Sequence, residues 1–416
     1  MARPMKDSGI EWIGEIPSEW KINTAFQTFT QVKNKNTDLR ERNLLSLSYG
    51  KIKRKNIETT DGLLPESFDG YNIIEANDIV LRLTDLQNDQ KSLRVGLSTE
   101  RGIVTSAYLT LRNRSDSLAS YLYYFLHAFD ISKGFYGMGA GVRQGLNWDG
   151  MKWLKILTPE VSEQQRITEF LDRRMLAIDG VIAETEKTIE EYRKLKQSII
   201  SEAVTQSIRT STEMKESGIE WIGRIPASWK VMPHKYVMHK VKEICEHYSG
   251  EDIISLSMFG VRIRDLDAGG KMPTTFDGYQ YVEPEDMLLC LFDIDVTPRC
   301  VGIVKNHGVT SPAYSRFIVH EGFLNRYYDY LLRFIDDKKV FVHLAKNLRS
   351  SLTETDFGAI KTVVPPYDEQ KEIADYLDEK CAAIDEIIEK KQQLLTELDA
   401  YKKSVIYEYV TGKKEV

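Results

Sequence analysis

The chain has 416 residues, 42% hydrophobic and 28% charged, which excludes disordered and fibrous proteins and fits two to three globular domains. The longest apolar runs cover only a few residues, Met287 to Phe292 being typical, so no segment is expected to span a bilayer, and the N-terminus leads into no apolar signal region. A formal net charge of −6 argues against a bulk nucleic-acid coat protein.

Charge is unevenly spread. Residues 1–160 carry 21 basic and 19 acidic side chains, and residues 208–366 carry 20 and 21. The acidity sits in 161–207, with 7 and 9, and in 367–416, with 8 and 13. A nucleic-acid site in either long segment would therefore need local basic patches. The four cysteines, Cys245, Cys290, Cys300 and Cys381, form no CxxC or Cys/His zinc spacing. A disulfide framework and a structural metal are disfavoured, and a reducing cytoplasmic setting is expected.

Reading along the chain, an internal repeat sets the organisation. Residues 5–21 recur as 214–230, an offset of 209, with 13 of 17 positions identical. Ser46-Leu-Ser48 matches Ser255-Leu-Ser257, and Phe68-Asp-Gly-Tyr71 matches Phe276-Asp-Gly-Tyr279. Arg143 matches Arg349, Glu163-Gln164 matches Glu369-Gln370, and Leu171-Asp172 matches Leu377-Asp378, by which point the offset has fallen to 206. The ends of each copy match well, whereas 50–105 and 258–310 match poorly. One scaffold is kept twice while its middle differs.

Within the first copy, Ile73-Ile74, Asp78–Leu83 and Gly102–Leu111 are predicted as strands, and Leu118–Phe129 as a helix. Asp61-Gly62, Asp69-Gly70 and Asp277-Gly278 mark turns. Segments 163–207 and 369–411 follow Pro159 and Pro365-Pro366, with Ser162/Gln165 as a capping box and Asp368 as a cap. The first carries Leu171, Met175, Ile178, Ile182, Thr185, Ile189, Tyr192, Lys196, Ile199 and Ala203 at alternating steps of four and three. The second carries Leu377, Cys381, Ile384, Ile388, Lys391, Leu395, Leu398, Lys402, Val405 and Tyr409 at the same places. This is a coiled-coil seam sustained over five heptads. About 43 residues at about 1.5 Å each make a rod of about 65 Å that needs a partner. Matched length and register pair the two helices with each other, antiparallel if a pseudo-twofold relates the repeats. The expected architecture is α+β: module 1–160, central long helix 161–207, module 208–366, C-terminal long helix 367–416.

No catalytic constellation stands out. Gly137-Met-Gly139-Ala-Gly141 lacks the GK[ST] of a P-loop. Val364-Pro-Pro-Tyr367 lacks the Asp or Asn that adenine methyltransferases place before Pro-Pro-Tyr, and reads as a helix entry. His234, His239 and His247 lack zinc spacing. No catalytic residue and no metal ligand is assigned, which favours a binding protein. Lys51, Lys53, Arg54 and Lys55 form a basic patch after a predicted strand, and Arg262 and Arg264 fall in the equivalent place; alternation aims such cations at a phosphate backbone or blunts a sheet edge. Arg143, Gln144 and Asn147, with Asn347 and Arg349, form a second candidate set, since Arg, Gln and Asn can read base edges. Trp12, Trp20, Trp221 and Trp229 recur and read as docking aromatics for the module start.

The doubled Gly-Ile-Glu-Trp-Ile-Gly-x-Ile-Pro-x-x-Trp-Lys opening resembles the specificity subunit of type I restriction–modification enzymes. So do Gly141-x-Arg143-x-x-Leu146 and Pro159 followed by Glu163-Gln164-x-x-Ile167-x-x-x-Leu171-Asp172. The resemblance spans both repeats; the second copy has Asn347-Leu348-Arg349 in place of the glycine-rich loop. It implies two target-recognition domains, each reading half of a split double-stranded DNA target, with the helices setting the gap. It implies a non-catalytic, prokaryotic cytoplasmic subunit docking two methyltransferase subunits, which restriction (translocase) subunits join. S-adenosylmethionine, ATP and Mg would then belong to those partners, and no membrane is involved. The competing readings are a recognition subunit of another restriction system and a stand-alone DNA methyltransferase or nuclease; the last would bind S-adenosylmethionine itself.

Overall fold

A computed structural model of the chain describes residues 3–58, 67–89, 92–139, 145–210, 213–257, 260–266, 273–297, 299–345 and 350–416. It divides into two compact units, Met1–Thr185 with Gln392–Val416, and Glu186–Lys391. Each unit thus holds one module, part of the central helix and part of the C-terminal helix.

In the first unit the repeated opening folds back as Met5–Asp7 against Glu15–Pro17. Lys21–Thr24 pairs with Lys155–Thr158, which brings the two ends of the module together. Between them lies an antiparallel sheet in the order Phe29–Gln31, Leu109–Asn113, Ile79–Leu81, Val95–Leu97. The helix Ala119–Ile131 shares the core with it: Tyr121, Leu122, Phe125 and Leu126 are buried together with Trp20, Leu81 and Leu111. The run Gly102–Leu111 reads as one strand in the sequence but forms two, Gly102–Val104 and Leu109–Asn113. The break is a turn in which the Ala107 amide donates to Thr105 Oγ1 at 3.3 Å and the Tyr108 amide to the Thr105 carbonyl at 3.1 Å, a side-chain bond that competes with the ladder.

The second unit repeats the plan. Met214–Glu216 pairs with Arg224–Pro226, and Lys230–Pro233 with Lys361–Val364. The sheet runs Met238–Val241, Ser315–Val319, Met287–Leu289, Val301–Ile303, and the helix is Asn325–Asp337. Each sheet carries an Arg–Asp pair across neighbouring strands. Arg112 Nε and Nη2 each lie 2.7 Å from the Asp78 carboxylate, and Arg316 Nε lies 2.6 Å from that of Asp286.

The long helices run Val161–Gln206 and Tyr367–Val410. Both start earlier than the capping signals suggest, so Ser162 and Asp368 lie inside the first turns rather than at caps. The repeated glutamines hold these starts instead. The Gln164 side chain donates to the Pro159 carbonyl and accepts from the Leu118 amide, each at 2.8 Å. Gln370 does the same to Pro365 and Leu324, each at 2.9 Å. Tyr124 and Tyr330 add hydroxyl bonds to Asp172 and Asp378 at 2.6 and 2.8 Å, tying each module helix to the long helix that follows it.

All ten seam positions of each long helix are buried or half-buried, while Leu176, Val181 and Leu195 between them are exposed. In the first unit Phe170 packs on Tyr409, with ring centroids 4.4 Å apart, and Arg174 donates to the Tyr401 hydroxyl at 2.6 Å. Numbers rise along one helix as they fall along the other, so the pairing is antiparallel. Two of the three seam lysines find carboxylates on the facing helix: Lys402 bonds to Asp179 in the first unit, and Lys196 bonds to Asp385 at 2.6 Å in the second. These pairs are repeat equivalents, since 179 + 206 = 385 and 196 + 206 = 402. Thr185 turns its hydroxyl back to the Val181 carbonyl at 2.7 Å, so this polar interruption of the seam is satisfied within its own helix.

The helix ends complete the module cores. Val405, Ile406 and Val410 are buried in the first, and Ile200, Ala203 and Val204 in the second. The Tyr121 hydroxyl donates to the Val410 carbonyl, and the Tyr327 hydroxyl to that of Val204, each at 3.2 Å. Among the described residues no helix is long and apolar enough to cross a membrane.

Truncating the fully buried seam residue, Leu171→Ala, removes packing and is expected to cost about 2–5 kcal/mol. Leu176→Ala, on the exposed side of the same helix, is expected to stay within about 0.5 kcal/mol of wild type. Thermal and urea unfolding of the two variants measure the difference, and equal stabilities would refute the seam.

Candidate nucleic-acid interface

The basic patches lie on two hairpins, one per unit. In the first, Leu45–Ser48 pairs with Lys51–Arg54, in register Ser48 to Lys51, which leaves Tyr49-Gly50 as a two-residue loop. Tyr49 has φ 47° and Gly50 φ 74°, the sign pattern of a type I′ turn, which matches the twist of a tight hairpin. In the second, Ile253–Ser257 pairs with Gly260–Ile263, and Ser257 opposes Gly260.

Register decides which side chains face out. Leu47 opposes Ile52, and Leu256 opposes Val261, on the inner faces. Ser46 opposes Lys53, and Ser255 opposes Arg262, on the outer faces. Alternation puts Lys51, Lys53 and Lys55 on one face and turns Arg54 to the other. Lys53 and Lys55 are thereby equivalent to Arg262 and Arg264, since 53 + 209 = 262 and 55 + 209 = 264. The poorly matching middle of the repeat is thus structurally matched here.

The cations differ in what they touch. Lys51 reaches Asp179 of the central helix at 3.1 Å, and Arg54 Nε reaches Glu100 at 2.8 Å. Both are exposed, so solvent and salt screen these pairs and phosphate can compete for either cation. Lys53 and Lys55 are exposed and have no partner among the described residues. Arg262 is exposed and Arg264 half-buried. Partial burial pushes the Asp179 carboxyl up, but the Lys402 and Lys51 ammonium groups outweigh it and hold the group below the usual range. The hydrogen bond from Arg54 likewise lowers Glu100.

Glycines seat both hairpins on the neighbouring sheet. A Cβ on Gly96 would lie 2.6 Å from Leu47 Cδ1 and 3.0 Å from Ile52 Cδ1; one on Gly302 would lie 2.9 Å from Val261 Cγ2. At Gly102 and Gly308 the obstacle is backbone, the carbonyl of Asn43 at 2.5 Å and that of Asp252 at 2.4 Å. Both carbonyls belong to the segments that enter the hairpins.

The second candidate set fares differently. Arg143, Gln144, Asn347 and Arg349 lie outside the described residues. Asn147 caps the short helix Trp148–Met151, its side chain accepting from the Gly150 amide at 3.1 Å. Trp20 and Trp229 are buried, and Trp20 donates to Glu163 at 3.0 Å; Trp12 packs on Phe125, Phe129 and Tyr407. Val364 ends a strand and Tyr367 opens the C-terminal helix, so Val-Pro-Pro-Tyr is a helix entry. Among the described residues no group of His, Cys, Asp and Glu could hold a metal ion. Sequence reasoning missed Tyr49 and the seating glycines; the doubled Ser-Leu-Ser just before the tip was the available signal.

Each unit joins an α+β module that carries a cationic hairpin to an antiparallel stretch of the two long helices. No family model matches the sequence. The chain is 23% identical to the MjaX type I restriction enzyme specificity subunit of Methanocaldococcus jannaschii, over 97% of this chain and 96% of that one. It is also 23% identical to the MjaVIII specificity subunit of that organism, over 96% and 94%. Its fold superposes with a TM-score of 0.70, at 12% identity over 96% of this chain and 99% of the other, on a chain from a study of complex assembly and conformational transition of the type I restriction–modification system. The HsdS subunit from Thermoanaerobacter tengcongensis gives a TM-score of 0.51 at 12% identity, over 96% and 98%. The chain is thus similar over its full length to named type I specificity subunits and shares the fold of these solved structures.

Gly102→Ala and Gly308→Ala drive a methyl group into backbone and are each expected to destabilise by about 1–3 kcal/mol. Gly96→Ala meets only side-chain ends that can shift and is expected to cost less. Unfolding midpoints in urea rank the three variants.

Proposed function

We propose that the chain is the non-catalytic subunit that gives a type I restriction–modification enzyme its DNA sequence choice. Each module reads one half of a bipartite duplex target, and the paired helices set the gap between the halves. Two methyltransferase subunits dock on this core, and restriction subunits join them; S-adenosylmethionine, ATP and Mg are bound by those partners. The observation that carries the reading is the pair of repeat-equivalent hairpins, with Lys53 and Lys55 at the positions of Arg262 and Arg264. The same scaffold occurs twice, with cations at matched places and different surroundings, as two different half-sites require. The full-length likeness to named specificity subunits supports it further.

Sequence-independent affinity is assigned to the outer-face cations. Lys53→Ala and Lys55→Ala are expected to weaken binding to all duplexes alike and to lower the slope of log affinity against log salt by about 0.9 each. An altered target sequence in either variant would refute the phosphate role.

Exchanging residues 25–155 for the corresponding part of another specificity subunit is expected to change one half-site and leave the other. One heptad added to each helix at facing levels keeps the seam in phase and lengthens it by about 10.5 Å. That is about three base pairs at roughly 3.4 Å per step. A longer gap between unchanged half-sites, or an inactive protein, is expected. Mapping methylated bases in the genome of cells carrying the chain with its methyltransferase subunit reads both outcomes; new bases at the old spacing would overturn the ruler. Binding of S-adenosylmethionine by the purified chain would favour a stand-alone methyltransferase instead.

A further inference from the structure

Tyr49 sits at the tip of the first hairpin with 78% of its surface exposed. Its φ of 47° lies in the left-handed region, which a bulky aromatic rarely occupies and which Asn, Asp or Gly fills more readily. Its ring and hydroxyl have no partner among the described residues. Nothing among the described residues rewards a tyrosine here, and a residue held in such a conformation points to a use outside the folded chain.

The hairpin beneath it is held on three sides. Leu47 and Ile52 sit over Gly96, where a Cβ would approach to 2.6 and 3.0 Å. Arg54 ties the outgoing strand to Glu100 at 2.8 Å, and Lys51, two residues from the tip, ties it to Asp179 at 3.1 Å. Asp179 is itself bonded to Lys402, so this carboxylate is flanked by two ammonium groups. The tip is therefore an aimed aromatic ring followed by Lys51, Lys53 and Lys55 on one face. Lysine is depleted at protein–protein contacts, whereas cations beside an aromatic suit a polyanion whose bases offer apolar edges and π-faces.

We infer that Tyr49 is a base-contacting, specificity-determining residue of the first module, set against the bases of duplex DNA while the outer-face lysines hold the phosphates. This rests on the functional reading above and names a residue through which one half-site is read.

The test uses the chain co-purified with its methyltransferase subunit and a pool of random-sequence duplexes, with selection of bound sequences and competition against non-specific DNA. Tyr49→Asn removes the ring and suits the turn, so folding is retained or improved; Tyr49→Phe keeps the ring. Tyr49→Asn is expected to keep the salt dependence and to lose about tenfold in discrimination at one or two positions of a single half-site, the effect typical of one lost base contact. Tyr49→Phe is expected to keep most of it. If Tyr49→Asn selected the wild-type sequence with an undiminished ratio, the inference would fail while the specificity-subunit reading stood. Loss of the methyltransferase subunit from the Tyr49→Asn complex would make the tip a protein contact and overturn the inference too. A wild-type complex that enriched no sequence would overturn the functional reading and this inference with it.

Discussion

The Tyr121 hydroxyl bonds to the carbonyl of Val410, 289 positions later, and around that bond the first module closes its core with the end of the C-terminal helix. Tyr327 and Val204 do the same in the second unit. A module's hydrophobic surface is thus not buried by its own residues alone. The chain must return antiparallel along its other helix to supply the missing layer, and that requirement makes the helix pairing a condition of both folds. Gly412 shows how closely the return is fitted: a Cβ there would come within 2.4 Å of Pro17.

The pairing has its own electrostatic logic. Three lysines and Thr185 interrupt an otherwise apolar or aromatic stripe, and two of the lysines are answered by an aspartate on the facing helix, Lys402 by Asp179 and Lys196 by Asp385. A lysine in a seam is tolerated when its ammonium group reaches a carboxylate at the rim, and such polar positions are a recognised way to choose among registers. Here the same choice is made twice. Asp179 goes further, because it also holds Lys51 and so links the helix pair to the basic hairpin of the first unit.

Repetition and difference fall on separate parts of each module. Gln164 and Gln370, Tyr124 and Tyr330, and Gly96 and Gly302 do identical jobs, and all position the long helices or the hairpins. On the hairpins the cations Lys53 and Lys55 recur as Arg262 and Arg264, whereas Lys51 has Gly260 as its equivalent. A chain of net charge −6 thus carries local clusters of cations on its hairpins.

Periodicity and repetition were legible in the residues themselves. Heptad spacing is local, and 13 identities in a 17-residue segment need no geometry. The α+β class, the two long helices and the basic patches followed from these. The individual roles did not. Lys51 and Arg54 read like Lys53 and Lys55, yet Asp179 and Glu100, distant in sequence, single them out. Asp78–Arg112 and Asp286–Arg316 escaped the repeat because their offsets, 208 and 204, straddle an insertion and a deletion. The positive φ of Tyr49 carries no signature in the letter Tyr. Local pattern sets which elements form, whereas the pairing of side chains remote in sequence and the hand of a two-residue turn exist only once the sheets, the hairpins and the returning helix have packed.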